Sequence, residues 1–176
     1  TPTPYHIQIS NSAPIRYAQL FPAKAGWQVF CNRGTSGIDG STSTAIGASV
    51  VQATPTLLIT GDLSFFYNSN ALWCNYIPKN LKIIVVNNAG GGIFRILPTD
   101  KGTPFFETFQ ETTHSLTAKH LCAMYGFTYL CAQNQEELTQ ALEILFTHQE
   151  SPMLLEVFTP RVLNNTILKD YFNVLS

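Results

Sequence analysis

The chain has 176 residues, of which 45% are apolar and 12% charged, and its formal net charge is −1. This length and apolar content support one substantial core and a single domain. The lack of basic runs excludes a nucleic-acid or anionic-membrane surface, and no stretch reaches the roughly 18 apolar residues of a membrane span.

Charge this sparse also implies surface that other subunits or domains cover. Cys31, Cys74, Cys122 and Cys131 form no C-x-x-C pair and sit among apolar neighbours, as free buried thiols of a cytoplasmic protein do. The absence of a signal-peptide pattern agrees with a cytoplasmic location.

Residues 1–10 (TPTPYHIQIS) read as a linker or leading segment of a longer polypeptide, ahead of one domain over 11–176. SAPIRYAQLF (12–21) has helical spacing, with Ser12 as N-cap. WQVFCN (27–32) reads as a strand, followed by the glycine-rich turn RGTSGIDG. The small residues of STSTAIGASVVQ (41–52) suit a helix packed closely on a sheet. TPTLLIT (54–60) is a short buried strand, LSFFYNSNALWCNYI (63–77) a helix, and LKIIVVNN (81–88) the clearest strand. The polar and aromatic segment 93–114 suggests an active loop or lid. A helix over 115–126 closes at Gly126, and a strand over 127–132 follows. A helix over 134–148 is capped by Asn134, with Leu138, Leu142 and Leu145 as its core stripe. A strand over 152–159 and a terminal helix over 162–175 complete the chain.

Near-continuous apolar strands alternating with helices predict an α/β protein, a three-layer α/β/α arrangement around a mainly parallel sheet. Ligands of such sheets bind beyond the carboxyl ends of the strands. Two strands here end there in small, oxygen-bearing residues: Gly61-Asp62, and Asn87-Asn88 followed by glycines. A carboxylate, an amide and a backbone carbonyl, completed by phosphate oxygens, suit octahedral Mg²⁺. A helix starting near Ser64 would turn its unpaired N–H groups toward that phosphate. Metal plus diphosphate is the chemistry this pattern implies.

The pair resembles the G-D-G and N-N blocks of thiamine-diphosphate enzymes, except that Leu63 replaces the last glycine. GDLSFFYNSNAL and VVNNAGGGIFRILP are similar to the G-D-L-S and N-N-x-G-G-x-I-F-x-x-L-P blocks of one family. That family is the 2-succinyl-5-enolpyruvyl-6-hydroxy-3-cyclohexene-1-carboxylate synthases of menaquinone biosynthesis. NRGTSGIDGSTSTAIG (32–47) and NSAPIR (11–16) resemble two further blocks, in the same order.

The resemblance implies a thiamine-diphosphate-binding fold, with this chain as the C-terminal, diphosphate-binding domain. It implies Mg²⁺ or Mn²⁺ on Asp62, Asn88 and the Gly90 carbonyl. Ser36, Gly37, Gly61, Leu63, Ser64 and Gly91 would surround the cofactor, with Ile38 as the prop that keeps it bent. Ser12, Arg16 and Arg33 would bind substrate carboxylates, since arginine grips them bidentately. Ile93, Phe94 and Leu97 would form an apolar wall, Ile93 also touching cofactor. The implied reaction is a transferase step: decarboxylation of 2-oxoglutarate and addition of the remaining four-carbon unit to isochorismate.

The resemblance also implies partners. An activating Glu would come from an N-terminal pyrimidine-binding domain of a second subunit in a homodimer or homotetramer, alongside a middle domain. No catalytic residue is assigned within this chain, which is expected to be silent and to bind cofactor weakly by itself. Asp39, flanked by glycines, is expected to brace its turn, and His114 and His120 to be surface or lid residues. Two other readings compete: an acetolactate-synthase-like 2-oxoacid decarboxylase, and a non-catalytic α/β module. A dinucleotide-binding domain ranks below both, because no G-x-G-x-x-G follows the first strand.

Overall fold

In the computed structural model, which describes residues 4–148 and 150–175, six strands form one all-parallel sheet. They are β1 (Tyr5–Ile9), β2 (Trp27–Cys31), β3 (Thr56–Gly61), β4 (Leu81–Asn87), β5 (Thr128–Ala132) and β6 (Met153–Phe158). Their order is β2-β1-β3-β4-β6-β5. The helices are α1 (Ala13–Ala18), α2 (Ser41–Val51), α3 (Asp62–Tyr67), α4 (Ile93–Ile96), α5 (Lys119–Tyr125), α6 (Gln135–Thr147) and α7 (Leu163–Leu175). A 3₁₀ turn (Ser69–Trp73) follows α3, and a π-helical turn (Phe106–Gln110) follows α4.

Successive strand residues point to opposite faces, and both faces are packed. Leu58, Ile83 and Leu154 meet Ile46 of α2, Phe65 of α3 and Cys122 of α5. Their neighbours Leu57, Ile84 and Leu155 turn the other way, toward Ile15 of α1 and Leu145 and Phe146 of α6. This is the three-layer α/β/α arrangement that the uninterrupted apolar runs imply.

Residues 5–9 correct the linker expectation: YHIQI is β1, an inner strand with all five residues buried. Tyr5, Ile7 and Ile9 fill the core, while His6 stacks on Phe30 at 4.6 Å and Gln8 donates to Asn32 at 2.9 Å. Residues 1–3 lie outside the described region. Ser12 does not cap α1; its φ is 71° and its side chain makes no capping bond. The helix expected over 63–77 is α3 plus the 3₁₀ turn. It breaks at Asn68, whose Oδ1 accepts from the Ser43 N–H and hydroxyl at 2.8 and 3.1 Å. Asn134 caps α6 as expected, accepting from the Glu137 N–H at 2.9 Å while Glu137 accepts from the Gln133 N–H. Gly126 ends α5 in the left-handed conformation at φ 74°.

The segment expected as a lid is fastened down. The Gly91 N–H donates to the Glu111 carbonyl at 2.6 Å and the His114 N–H to the Ala89 carbonyl at 3.3 Å. The buried Glu111 carboxylate pairs with Arg95 of α4 and with Arg161 at 2.9 Å. Arg95 also lies over the Phe106 ring, 5.5 Å from its centroid.

All four cysteines are free thiols, but Cys122 alone is buried and Cys131 is exposed, which corrects the expectation of buried thiols throughout. Burial, with the Glu156 carboxylate nearby, pushes the Cys122 thiol up to about 12. Its thiolate fraction at pH 8 is then on the order of 1 in 10,000. Iodoacetamide at pH 8 is expected to leave Cys122 unmodified in the native protein and to label it after denaturation. Mass spectrometry finding native Cys122 alkylated would contradict its place in the core.

Candidate functional site

A cavity of about 790 Å³ opens at the carboxyl ends of β1, β3 and β4. The chain passes from β1 to β2 on one side and returns to β3 on the other, so the sheet order reverses at this place. Open α/β sheets leave a crevice at such a switch point. Every residue expected at the site lines the cavity: Ser12, Arg16, Arg33, Ser36, Gly37, Ile38, Gly61, Asp62, Leu63, Ser64, Asn88, Gly90, Gly91, Ile93, Phe94 and Leu97.

The register explains why the two quoted strand ends meet. Gly61 pairs with Val86, which sets Asp62 beside the Asn87-Asn88 end of β4. The Asp62 side chain is 3% exposed, accepting from the Leu63 N–H at 2.7 Å on Oδ1 and from the Gly90 N–H at 2.9 Å on Oδ2. Burial pushes the Asp62 carboxyl up, and those two N–H groups and His114 pull it back. Gly90 sits at φ 151°, and a Cβ there would lie 2.9 Å from the Glu111 carbonyl oxygen. Only glycine fits that close approach. Among the described residues, no hydrogen-bond partner meets the Asn88 side chain, which faces the cavity.

The opposite wall is the 33–38 turn, and Asn11 organises it. Asn11 is 1% exposed; its Nδ2 donates to the Asn32 and Gly37 carbonyls, and its Oδ1 accepts from Arg33 at 3.0 Å. The Ser64 hydroxyl donates to the Ile38 carbonyl, tying this turn to the start of α3. That hydroxyl is therefore engaged in the protein, and α3 has only six residues, shorter than the helix expected to face a phosphate. Ser12 and Ser36, both on the cavity, hold positive φ values of 71° and 56°, as does Ala89 at 60°. Non-glycine strain of this kind clusters at functional sites.

Comparison with known proteins matches residues 12–157 to the family described as "Thiamine pyrophosphate enzyme, C-terminal TPP binding domain". The chain belongs to the thiamine pyrophosphate enzyme family. Three relatives share the name 2-succinyl-5-enolpyruvyl-6-hydroxy-3-cyclohexene-1-carboxylate synthase. The Flavobacterium johnsoniae protein is 57% identical over 97% of this chain and 31% of its own length. Those of Christiangramia forsetii and Porphyromonas gingivalis are 53% and 44% identical, over 96% and 97% of this chain and 29% and 30% of theirs. The chain thus spans about 30% of the length of these relatives.

In a thiamine pyrophosphate enzyme domain the cofactor is a diphosphate, and the cavity's donors fit a metal–diphosphate pair. No cluster of three His, Cys, Asp or Glu side chains that could hold a metal exists among the described residues. Asp62, Asn88 and Gly90 offer one carboxylate, one amide and one carbonyl, a set that would leave room for phosphate and water oxygens as Mg²⁺ requires. The unpartnered Asn88 amide and the cradle closed by Gly90 both suit such an ion.

Several site residues escaped sequence reasoning. His114, expected at the surface or in a lid, is 11% exposed and meets Asp62 Oδ2 at 3.2 Å. Asn87 did not escape that reasoning: named in the Asn87-Asn88 strand end, it accepts from the Ala89 N–H at 2.9 Å and donates to the Leu116 carbonyl at 3.1 Å and to Glu156 at 2.8 Å, so it braces the turn beside Asn88. Asn164 and Asn165 of α7 close the cavity from outside the motif blocks. For Glu156 a signal existed: it is the lone acid in the apolar run MLLEVF.

Proposed function

We propose that this chain is the diphosphate-binding domain of a 2-succinyl-5-enolpyruvyl-6-hydroxy-3-cyclohexene-1-carboxylate synthase. The observation that carries this is one cavity uniting Asp62, Asn88 and Gly90 with the two guanidinium groups of Arg16 and Arg33. The names of the three relatives support it.

Asp62, Asn88 and the Gly90 carbonyl hold Mg²⁺ or Mn²⁺, while the backbone at Ser36, Gly37, Gly61, Leu63, Ser64 and Gly91 surrounds the diphosphate. Thiamine diphosphate, when bound, supplies a stabilised carbanion equivalent. Ile38 and Ile93 exclude water and press on the cofactor's apolar parts. Arg16, Arg33 and Ser12 bind the carboxylates of 2-oxoglutarate and isochorismate; Asn11 holds the Arg33 guanidinium in place. Phe94 and Leu97 wall the substrate's apolar side.

Among the described residues Asp62 is the one acid on the cavity, and its free capacity on Oδ1 is committed to the metal in this reading. The carboxylate that activates the aminopyrimidine therefore comes from a pyrimidine-binding domain of a second subunit, with a middle domain completing the enzyme. Val51, Trp73, Phe109 and Met124, each over 70% exposed, are apolar surface for such partners. We assign a homodimer or homotetramer in the cytoplasm, a reducing compartment in which four free thiols persist.

The full-length enzyme, with thiamine diphosphate and Mg²⁺, is expected to consume 2-oxoglutarate only when isochorismate is present. Consumption independent of isochorismate, or of pyruvate in its place, would overturn the substrate assignment.

A further inference from the structure

His114 and the cavity-lining Asp62 meet although they belong to different segments, one following the π-helical turn and the other opening α3. The His114 ring is fixed from both ends. Its Nδ1 accepts from the Leu116 N–H at 3.1 Å, which places the ring hydrogen on Nε2, 3.2 Å from Asp62 Oδ2. One face packs edge-on against Phe66 of α3, with centroids 5.4 Å apart. The Leu116 carbonyl in turn accepts from Asn87 Nδ2 at 3.1 Å, and the same nitrogen donates to the buried Glu156 carboxylate at 2.8 Å. Thus the backbone that orients the imidazole is anchored on β4 and β6.

The geometry points to His114 as the positioning residue of the metal-ligating carboxylate: its Nε2–H holds Asp62 Oδ2 so that the remaining lone pairs face Asn88 and the cavity. This rests on the assignment of Asp62 as a metal ligand. A carboxylate with the Gly90 N–H and the imidazole N–H on Oδ2, and the Leu63 N–H on Oδ1, has one oxygen with spare capacity, Oδ1. Losing the imidazole donor leaves Oδ2 with the Gly90 N–H alone, so the group is held less firmly and the cation meets a looser ligand. Groups that orient a ligand from outside the coordination sphere typically alter metal affinity 10–100-fold.

The test compares two amides in the full-length enzyme with saturating thiamine diphosphate. His114→Asn keeps an acceptor where Nδ1 stands and cannot reach Asp62, whereas His114→Gln extends a donor to the Nε2 position. Calorimetric Mg²⁺ titration is expected to show roughly 10-fold weaker binding for His114→Asn and binding within about threefold of wild type for His114→Gln. Thermal melts without metal should agree closely between the two variants. Equal Mg²⁺ affinity in wild type and His114→Asn overturns the positioning role, as does an equal loss in both variants. Should His114→Asn fail to fold, His114→Phe, which keeps the contact with Phe66 and lacks the donor, carries the same expectation. Wild-type enzyme that binds cofactor equally well without Mg²⁺ overturns the metal assignment itself, a different result from either.

Discussion

Asp62→Ala is expected to abolish Mg²⁺-dependent binding of thiamine diphosphate by the full-length enzyme, and activity with it. Among the described residues Asp62 is the one anionic ligand group on the cavity, so its removal is expected to exceed the 10–100-fold losses typical of residues that merely orient a ligand. The substitution also leaves the Leu63 and Gly90 N–H groups and His114 without their shared acceptor. Asp62→Asn separates the two effects: it retains the shape and one acceptor oxygen but removes the charge. Calorimetry in the presence of Mg²⁺ and of EDTA checks this. Both variants should lose the difference between the two conditions, and Asp62→Asn should keep the melting temperature closer to that of wild type. A variant binding cofactor as wild type does would show that the two strand ends serve some other purpose.

The second large effect is on stability. Glu156 is fully buried, and its carboxylate accepts from Asn87, Thr117, the Ala118 N–H and Tyr129. Glu156→Ala strands the Ala118 N–H, leaves Asn87 with the Leu116 carbonyl alone and the Thr117 and Tyr129 hydroxyls with only each other, and opens a cavity between β6 and the start of α5. Stranding buried donors costs about 1–3 kcal/mol apiece, so a loss of roughly 3–5 kcal/mol is expected once relaxation is allowed. Glu156→Gln fills the same space but turns an NH₂ group on donors that need an acceptor. The two hydroxyls can rotate, so its loss should be smaller, about 1–2 kcal/mol. Urea unfolding of the two variants measures both, and a Glu156→Ala change below about 1 kcal/mol would contradict this account of the network.

The division between what was legible in the sequence and what was not follows from how each signal is written. The sheet could be read because its inner strands are buried on both faces, so LKIIVV and PMLLEV are almost uninterrupted apolar runs. β1 was missed because YHIQI alternates: His6 and Gln8 look solvent-facing until Phe30 and Asn32 are seen to cover them. The glycine-flanked blocks around Asp62, Asn88 and Ile38 identify site residues directly, because close backbone approach restricts what can stand there. His114 left no such trace. Its partner lies in another segment, and an isolated histidine in a polar stretch resembles any surface residue. The meeting of Arg95 with Glu111 is equally hidden in the sequence, since it depends on the path of the chain through the π-helical turn. Ser12 was misread because Ser before a helical pattern usually caps it; at φ 71° its side chain is turned away from the helix amides.

The proposal that the ends of β3 and β4 share one divalent cation is tested most directly in crystals of the full-length enzyme grown with thiamine diphosphate and Mn²⁺. The account predicts an anomalous peak at roughly 2.1–2.2 Å from an Asp62 carboxylate oxygen, the Asn88 amide oxygen and the Gly90 carbonyl, with diphosphate oxygens completing the shell. A Mn²⁺ peak elsewhere, or a bound diphosphate in this cavity with no metal beside Asp62, would contradict it.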